Sequence, residues 1–244
     1  MFRTNYWDCY NVVGMNKPYQ TAFIFRVLSI IFAAMAFQLS QLKIEYITSG
    51  EGDIWERDLQ FEPAKLYHIR ASSGKGKSSF IHTLYGMQKR YSGELFFRGK
   101  LTALNSPDEW CAIRTTQLSI VFQDLRLFDD YTAVQNLLIK NELTGFAEWS
   151  RIKTFAERLG ITHTFDRPIN TLSYGERQRV AIIRALLQPF GCILLDEPFS
   201  HLDNENKARA AALLSEEISL RQATMILCDL EDDQHFPYHQ KLHL

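Results

Sequence analysis

Residues 71–79 read Ala-Ser-Ser-Gly-Lys-Gly-Lys-Ser-Ser, a run of types that can hold a polyphosphate. Glycines let the backbone turn its N–H groups inward around phosphate oxygens, and a following helix points its positive end at them. In the general pattern G-x-x-x-x-G-K-[ST], Gly76, Lys77 and Ser78 supply the second half, with Gly74 two residues earlier. Lys77 would reach the β- and γ-phosphates and Ser78 would hold Mg²⁺. Ser72, Ser73, Lys75 and Ser79 complete the candidate cradle. The first glycine of the pattern is Ala71 here. If that position needs a positive φ, alanine is strained by about 1–2 kcal/mol; if it only ends a strand, alanine is harmless. Taken alone, the segment also reads as a Gly/Ser surface turn.

A second constellation lies at Ile193-Leu194-Leu195-Asp196-Glu197-Pro198, an apolar run ending in two carboxylates and a proline. A buried strand cannot hold unpaired carboxylates, so both acids should emerge at its carboxyl end, where ligands sit in open α/β sheets. Asp196 would assist Mg²⁺ through a water, and Glu197 is placed to polarise an attacking water as general base.

The elements that must position these groups follow from periodicity. Residues 39–48 alternate apolar and polar, as an edge strand does, and 61–69 form a strand leading into the glycine-containing turn. SSFIHTLYGM has helical spacing, with a stop expected at Tyr91-Ser92-Gly93. GELFFRGKLTAL reads as a strand and turn, and SIVFQ (119–123) as a short buried strand. From 124 to 171 strand signals disappear, and TAVQNLLIKNEL and EWSRIKTFAERLGI are amphipathic helical segments. Helix then strand recurs through LSYGERQRVAIIRALL, CILLDEP, ARAAALLSEE and TMILC. Such alternation predicts a parallel sheet flanked by helices, with a helical insertion as a second lobe.

Leu172-Ser173-Tyr174-Gly175-Glu176-Arg177-Gln178-Arg179 discriminates among phosphate-loop proteins. Here the chain resembles the ABC ATPases, whose signature reads LSGGQ or LSGGE followed by RQR. The match continues through AIIRALL, ILLDEP and Ser200-His201-Leu202-Asp203, similar to the family's D-loop, while Gln123 in VFQD resembles its Q-loop glutamine. The resemblance spans about residues 39–244 and is nearest in flavour to lipoprotein-release, cell-division and macrolide-export ATPases. It implies an α/β fold: a phosphate-loop (RecA-like) ATPase core with an antiparallel β edge region and a helical subdomain over about 124–171, within a nucleotide-binding domain of 38–244.

That family works as a head-to-tail dimer with ATP between one phosphate loop and the opposite signature. By resemblance, Ser173 and Gly175 would donate to the γ-phosphate bound by the partner, with Asp203 in the adjoining D-loop, and Gln123 would join Mg²⁺ and sense the γ-phosphate. The expected ligands are ATP and Mg²⁺; the expected partners are a second copy and a separate transmembrane permease. An aromatic stacks on adenine in this family: Tyr46 is at the expected distance from Lys77, with Trp55 as second choice, and Tyr46 also reads as ordinary strand packing. The implied location is the cytoplasmic face of the inner membrane, held peripherally.

One departure bears on chemistry. The family carries a histidine in a segment like TMIxVTHD; the corresponding stretch here is Thr224-Met225-Ile226-Leu227-Cys228-Asp229-Leu230, with Leu230 at the histidine position. Losing such a contact lowers rates by about 10²–10³. Two rivals to a transport ATPase follow. One is a low-turnover nucleotide-gated regulator, which active hydrolysis would remove. The other is a soluble non-transport ABC ATPase, which would carry a coiled-coil insertion or a second cassette that 244 residues do not accommodate.

Composition fits these expectations. A net charge of −1 argues against a constitutive nucleic-acid binder, and no nucleic-acid partner is expected. Cys9, Cys111, Cys192 and Cys228 are scattered without CxxC spacing, as reduced thiols are. His235, His239 and His243 have the i, i+4, i+8 spacing of a helical metal site, but Pro237 argues against a helix there. Residues 1–37 form an N-terminal extension containing VLSIIFAAMAF. It reads as upstream of a true start at Met35, or as an interfacial anchor; Met1 and Met15 are the other candidate starts.

Overall fold

The computed structural model describes residues 37–45, 47 and 52–244. The readings placed on residues 1–36 and on Tyr46 therefore lie outside the described residues. The chain forms an antiparallel sheet and a parallel sheet with helices packed on them. β1 (Phe37–Ile44), β2 (Leu59–Phe61), β4 (Tyr91–Phe97) and β5 (Lys100–Leu101) make the first, in the order β2-β1-β4-β5. The alternation read in β1 buries Phe37, Leu39, Leu42 and Ile44, but β1 lies between β2 and β4 and is not an edge strand.

The parallel sheet comprises β3 (Leu66–Arg70), β6 (Leu118–Val121), β7 (Cys192–Asp196), β8 (Thr224–Asp229) and β9 (Gln240–His243), in the order β6-β7-β8-β3-β9. Residues 192–195 of β7 and 225–228 of β8 are apolar throughout because both faces are covered. Ile193, Leu195, Met225 and Leu227 join the core beneath the later helices, while Cys192, Leu194, Ile226 and Cys228 face the second core with Phe61, Tyr67 and Phe80.

The helices are α1 (Lys77–Leu84), α2 (Pro107–Thr116), α3 (Ala133–Glu142), α4 (Trp149–Arg158), α5 (Tyr174–Leu186) and α6 (Asn204–Arg221). α1 ends at Tyr85, earlier than the stop expected at Tyr91; Gly86 takes φ 73 and Tyr91 already opens β4. Capping boxes start α2 (Ser106/Glu109), α3 (Thr132/Gln135) and α5 (Ser173/Glu176), each satisfying two helix-start donors. Among the described residues no strand forms between β6 and β7, and no helix is long and apolar enough to cross a membrane.

A buried ion triad ties α4 to α6 and to the end of α5. Glu217 is 2% exposed and receives Arg151 Nη2 at 2.7 Å and Arg221 Nη2 at 2.5 Å. Arg221 also donates to the carbonyls of Leu186 and Gln188 and lies 4.1 Å over the Phe190 ring. Breaking such a pair strands the remaining charge without a partner. Glu217→Ala should lose about 3–5 kcal/mol of stability, read as an early midpoint in urea unfolding.

Candidate functional site

Because the strands are parallel, their carboxyl ends emerge on one edge, where ligands collect in open α/β sheets. β3 runs into the loop at Ala71–Gly76, β6 into Gln123, β7 into Asp196 and Glu197, and β8 into Leu230. The loop, Gln123 and the two acids thus share one edge although they lie up to 126 residues apart, Ala71 to Glu197.

The loop closes on α1 through Gly76, the N-cap residue, at φ 98. A Cβ there would stand 2.3 Å from Ile47 Cδ1, so the position excludes any larger residue without a shift. Ala71 does not enter the left-handed region, so its substitution carries no backbone strain. Its N–H donates to the Asp229 carbonyl at 3.2 Å, which extends the strand into the loop. Ser72, Ser73, Gly74 and Lys75 are exposed, while Ser78 and Ser79 are half-buried in the first turn of α1.

Lys77 is buried and folds back over the loop, donating to the carbonyls of Ala71 (3.0 Å) and Ser72 (3.3 Å). The same ammonium pairs with Glu197 Oε1 at 3.2 Å. Ser78 Oγ donates to Gln123 Oε1 at 3.0 Å, and Gln123 Nε2 reaches Glu197 Oε2 at 3.4 Å. Lys77, Ser78, Gln123 and Glu197 therefore form one connected cluster.

Asp196 stands apart within it. It is 1% exposed, and neither carboxylate oxygen has a hydrogen-bond partner. Burial pushes its carboxyl up to about 6, and the neighbouring Glu197 charge adds to the effect. Ser78 lies near enough to soften the shift, but its hydroxyl hydrogen is committed to Gln123. Two buried acceptors without a donor suit a cation, or a water carried by one.

Glu197 occupies φ 48, a left-handed conformation that a non-glycine residue adopts at a cost of about 1–2 kcal/mol. Three contacts hold it there. Its N–H donates to the Cys228 carbonyl at 2.9 Å, and its carbonyl accepts from Gln178 Nε2 (3.1 Å) and Ser200 Oγ (3.2 Å). Gln178 in α5 also accepts from the His201 N–H at 3.1 Å, so one buried amide joins helix, acid and the following loop. In the sequence Gln178 stands out only as part of the RQR run of the signature segment.

Ser173 and Asp203 make their bonds at their own helix starts rather than at the loop. Ser173 caps α5, accepting from the Glu176 N–H at 3.3 Å, and Asp203 caps α6, accepting from the Asn206 N–H at 2.8 Å. Gly175 packs against the His201 carbonyl. Tyr174, passed over by sequence reasoning, donates its hydroxyl to the Gln123 carbonyl at 3.0 Å and lays its ring 4.0 Å from the His201 imidazole. Arg184 holds the residues after Gln123, donating to the carbonyls of Leu125 and Arg126, which both have positive φ. Trp55 is core packing, edge-on to Phe80 at 5.7 Å. Leu230 is 41% exposed beside the cluster's strand ends. The three C-terminal histidines form no helix, and no metal-ligating cluster occurs among the described residues.

A family model described as ABC transporter matches residues 56–200. The chain belongs to that family. It is 31% identical over 173 residues to the lipoprotein-releasing system ATP-binding protein LolD of Saccharophagus degradans, covering 70% of this chain and 76% of that one. It is 33% identical over 174 residues to LolD of Psychrobacter arcticus, with 70% and 77% covered. Among solved structures, the dimeric bacterial ABC transporter cassette MJ0796 superposes with a TM-score of 0.71 at 23% identity, over 80% of this chain and 88% of that one. Its post-hydrolysis form bound to ADP and Pi gives 0.69 at 25% identity, with the same coverage. The ABC ATPase fold, a RecA-like phosphate-loop core, is therefore that of this chain.

The raised pKa of Asp196 carries a sign opposite to that of a salt-bridged carboxylate. Between about pH 4 and 6 the folded chain holds this proton more tightly than the unfolded chain, so stability falls as pH rises through that window. Above it the destabilisation is fully present. Asp196→Asn should therefore melt about 2–6 °C higher than the parent at about pH 7.5, without nucleotide or Mg²⁺. By about pH 4.5, where the parent carboxyl is protonated, differential scanning calorimetry should find most of that gain gone.

Proposed function

We propose that this ABC protein binds and hydrolyses Mg²⁺-ATP as a transporter subunit, closing head to tail with a second copy to power a separate membrane subunit. The observation that carries the reading is the meeting of Lys77, Ser78, Gln123 and Glu197 around the unpartnered Asp196 carboxylate. In this reading residues 72–79 cradle the phosphates and Lys77 leaves Glu197 for the β- and γ-phosphate oxygens. Ser78, Gln123 and, through a water, Asp196 would hold Mg²⁺, and their all-oxygen donors suit that hard cation. The bound ion supplies neutralisation of charge on the phosphate oxygens. Glu197, released from Lys77, accepts the proton of the attacking water. Ser173 and Gly175 reach the nucleotide of the other copy from the start of α5, whose N-terminal dipole favours an anion.

The solved relative described as dimeric supports closure as a dimer, and the relatives named as lipoprotein-releasing ATP-binding proteins support work beneath a membrane partner. In this reading residues 124–171 form the helical lobe that meets the membrane subunit, and residues 38–244 the whole nucleotide-binding domain. A cavity of about 230 Å³ between this region and the sheet, lined by Phe122, Phe128, Lys140 and Arg184, offers a place for it. Burial, with the Arg184 charge adding to it, lowers Lys140 to about 8, and an acidic group of the partner would raise it again.

A low-turnover regulator is the second reading, favoured by Leu230. The two separate on one variant. Glu197→Gln with ATP and Mg²⁺ should run as a stable dimer on size exclusion, with hydrolysis about 10²–10⁴-fold below a measurably active parent. A variant that stays monomeric at saturating ATP would sink the sandwich mechanism, and a parent without turnover would leave the regulator.

A further inference from the structure

His201 stands where the start of α5 meets the loop after Glu197. Its imidazole is 4.0 Å from the Tyr174 ring, and its carbonyl lies 3.0 Å from where a Cβ on Gly175 would be. Any group that touches Ser173 and Gly175 therefore approaches His201 as well. The side chain is exposed and its Nδ1 lies 2.8 Å from Ser200 Oγ. Ser200 has one hydroxyl hydrogen and donates it to the Glu197 carbonyl at 3.2 Å, so the imidazole must donate from Nδ1. In the neutral ring, Nε2 is then an acceptor on an exposed side chain.

The remaining described histidines are spent or distant. His68 is buried in β3, and His82 packs 5.8 Å from Phe122. His163 Nε2 bonds Glu176 at 2.9 Å. His235 and His239 lie against Phe199 and Tyr67. His243 is on β9, three strand spacings from β7, or about 14 Å from the strand that carries Glu197. The position after β8 holds a hydrocarbon, Leu230, which can neither accept nor donate.

We propose that His201 is a catalytic residue in trans: in the closed dimer its Nε2 accepts a hydrogen bond from the water attacking the partner copy's ATP. The inference rests on the sandwich reading above, which brings the start of α5 to the other copy's γ-phosphate. In the step, the water oxygen bonds to the γ-phosphorus while the bond to the bridging oxygen breaks and ADP leaves. One water hydrogen passes to Glu197 of the ATP-holding copy, and His201 of the opposite copy orients the other. The chain thus recovers across its dimer interface the polar group missing at Leu230. Tyr174, its ring tilted 41° against the imidazole, positions it.

His201→Ala is tested in the full-length protein with Mg²⁺-ATP. The expected result is an intact ATP-dependent dimer in the Glu197→Gln background, an unchanged KM, and a kcat lower by about 10²-fold. His201→Ala/Leu230→His should recover most of that loss by returning an imidazole from the other side. Placement in trans is read from mixed dimers of His201→Ala with Glu197→Gln, each slow alone. Their one intact site should form ADP in a single turnover at close to the parent's rate, whereas a histidine acting in its own subunit leaves the mixture about 10²-fold slower. Closure with undiminished kcat, failure of Leu230→His to rescue, or mixed dimers no faster than His201→Ala each overturns the assignment and leaves the ATPase reading standing. Absence of any ATP-dependent dimer in Glu197→Gln removes that reading, and the inference falls with it.

Discussion

Two carboxylates at the end of a fully buried strand are the constraint around which this structure is arranged. Isolated in an apolar interior such groups would take up protons rather than stay charged. The chain answers differently for each. Glu197 receives Lys77, which would otherwise be an unpaired buried cation, so each neutralises the other at 3.2 Å. Asp196 receives no donor, and its raised pKa measures the result. An arrangement optimised for stability alone would have supplied a donor to both. The imbalance leaves Asp196 as a buried acid without a donor among the described residues, beside a Lys77–Glu197 pair whose ammonium is the one the proposed phosphate ligand would take.

The second dependence is on backbone geometry. Glu197 is turned into a left-handed conformation so that its side chain faces Lys77 and Gln123 while its peptide groups face Cys228, Gln178 and Ser200. Gln178 is decisive because it is the one side chain that bonds both the Glu197 carbonyl and the His201 N–H among the described residues. It ties α5 to the acid and to the loop before α6. Tyr174 adds a link from the same helix to the Gln123 backbone, and Arg184 a further one to Leu125 and Arg126. Three side chains of one helix thus grip both flanks of the site.

Much of this was legible before any coordinates. The loop, the acids, Gln123 and the start of α5 are short local patterns whose chemistry demands particular residue types, and parallel β-α alternation dictates that strand ends share an edge. What was not legible depends on register and partnering. β1 alternates as an edge strand would, yet pairs on both sides, since periodicity reports faces and not neighbours. The stop of α1 was misplaced because Tyr91-Ser92-Gly93 resembles a turn while Gly86 ends the helix earlier. α2 was unread although Ser106-Pro107-Asp108-Glu109 is a strong helix start, because its exposed, polar body shows little amphipathic contrast. Gln178 acts through bonds to backbone groups 19 and 23 residues away, which no local pattern encodes.

The three departures from the family pattern differ in kind, and the geometry separates them. Ala71 replaces a glycine where the backbone does not need one, so the phosphate loop is degenerate in spelling alone. Tyr174 replaces a glycine at the first turn of α5 and adds function-bearing contacts, since its ring and hydroxyl touch His201 and the Gln123 carbonyl. Leu230 removes a polar group from a strand end that faces the site, and nothing among the described residues of its own subunit fills the place: the adjacent Asp229 is a carboxyl group that accepts the Leu230 N–H at 2.7 Å. A loss at one strand end and a gain at the start of α5 are unrelated in a single chain. They become complementary only when the start of α5 in one copy faces the strand ends of another, so the substitutions themselves argue for a site completed by two chains.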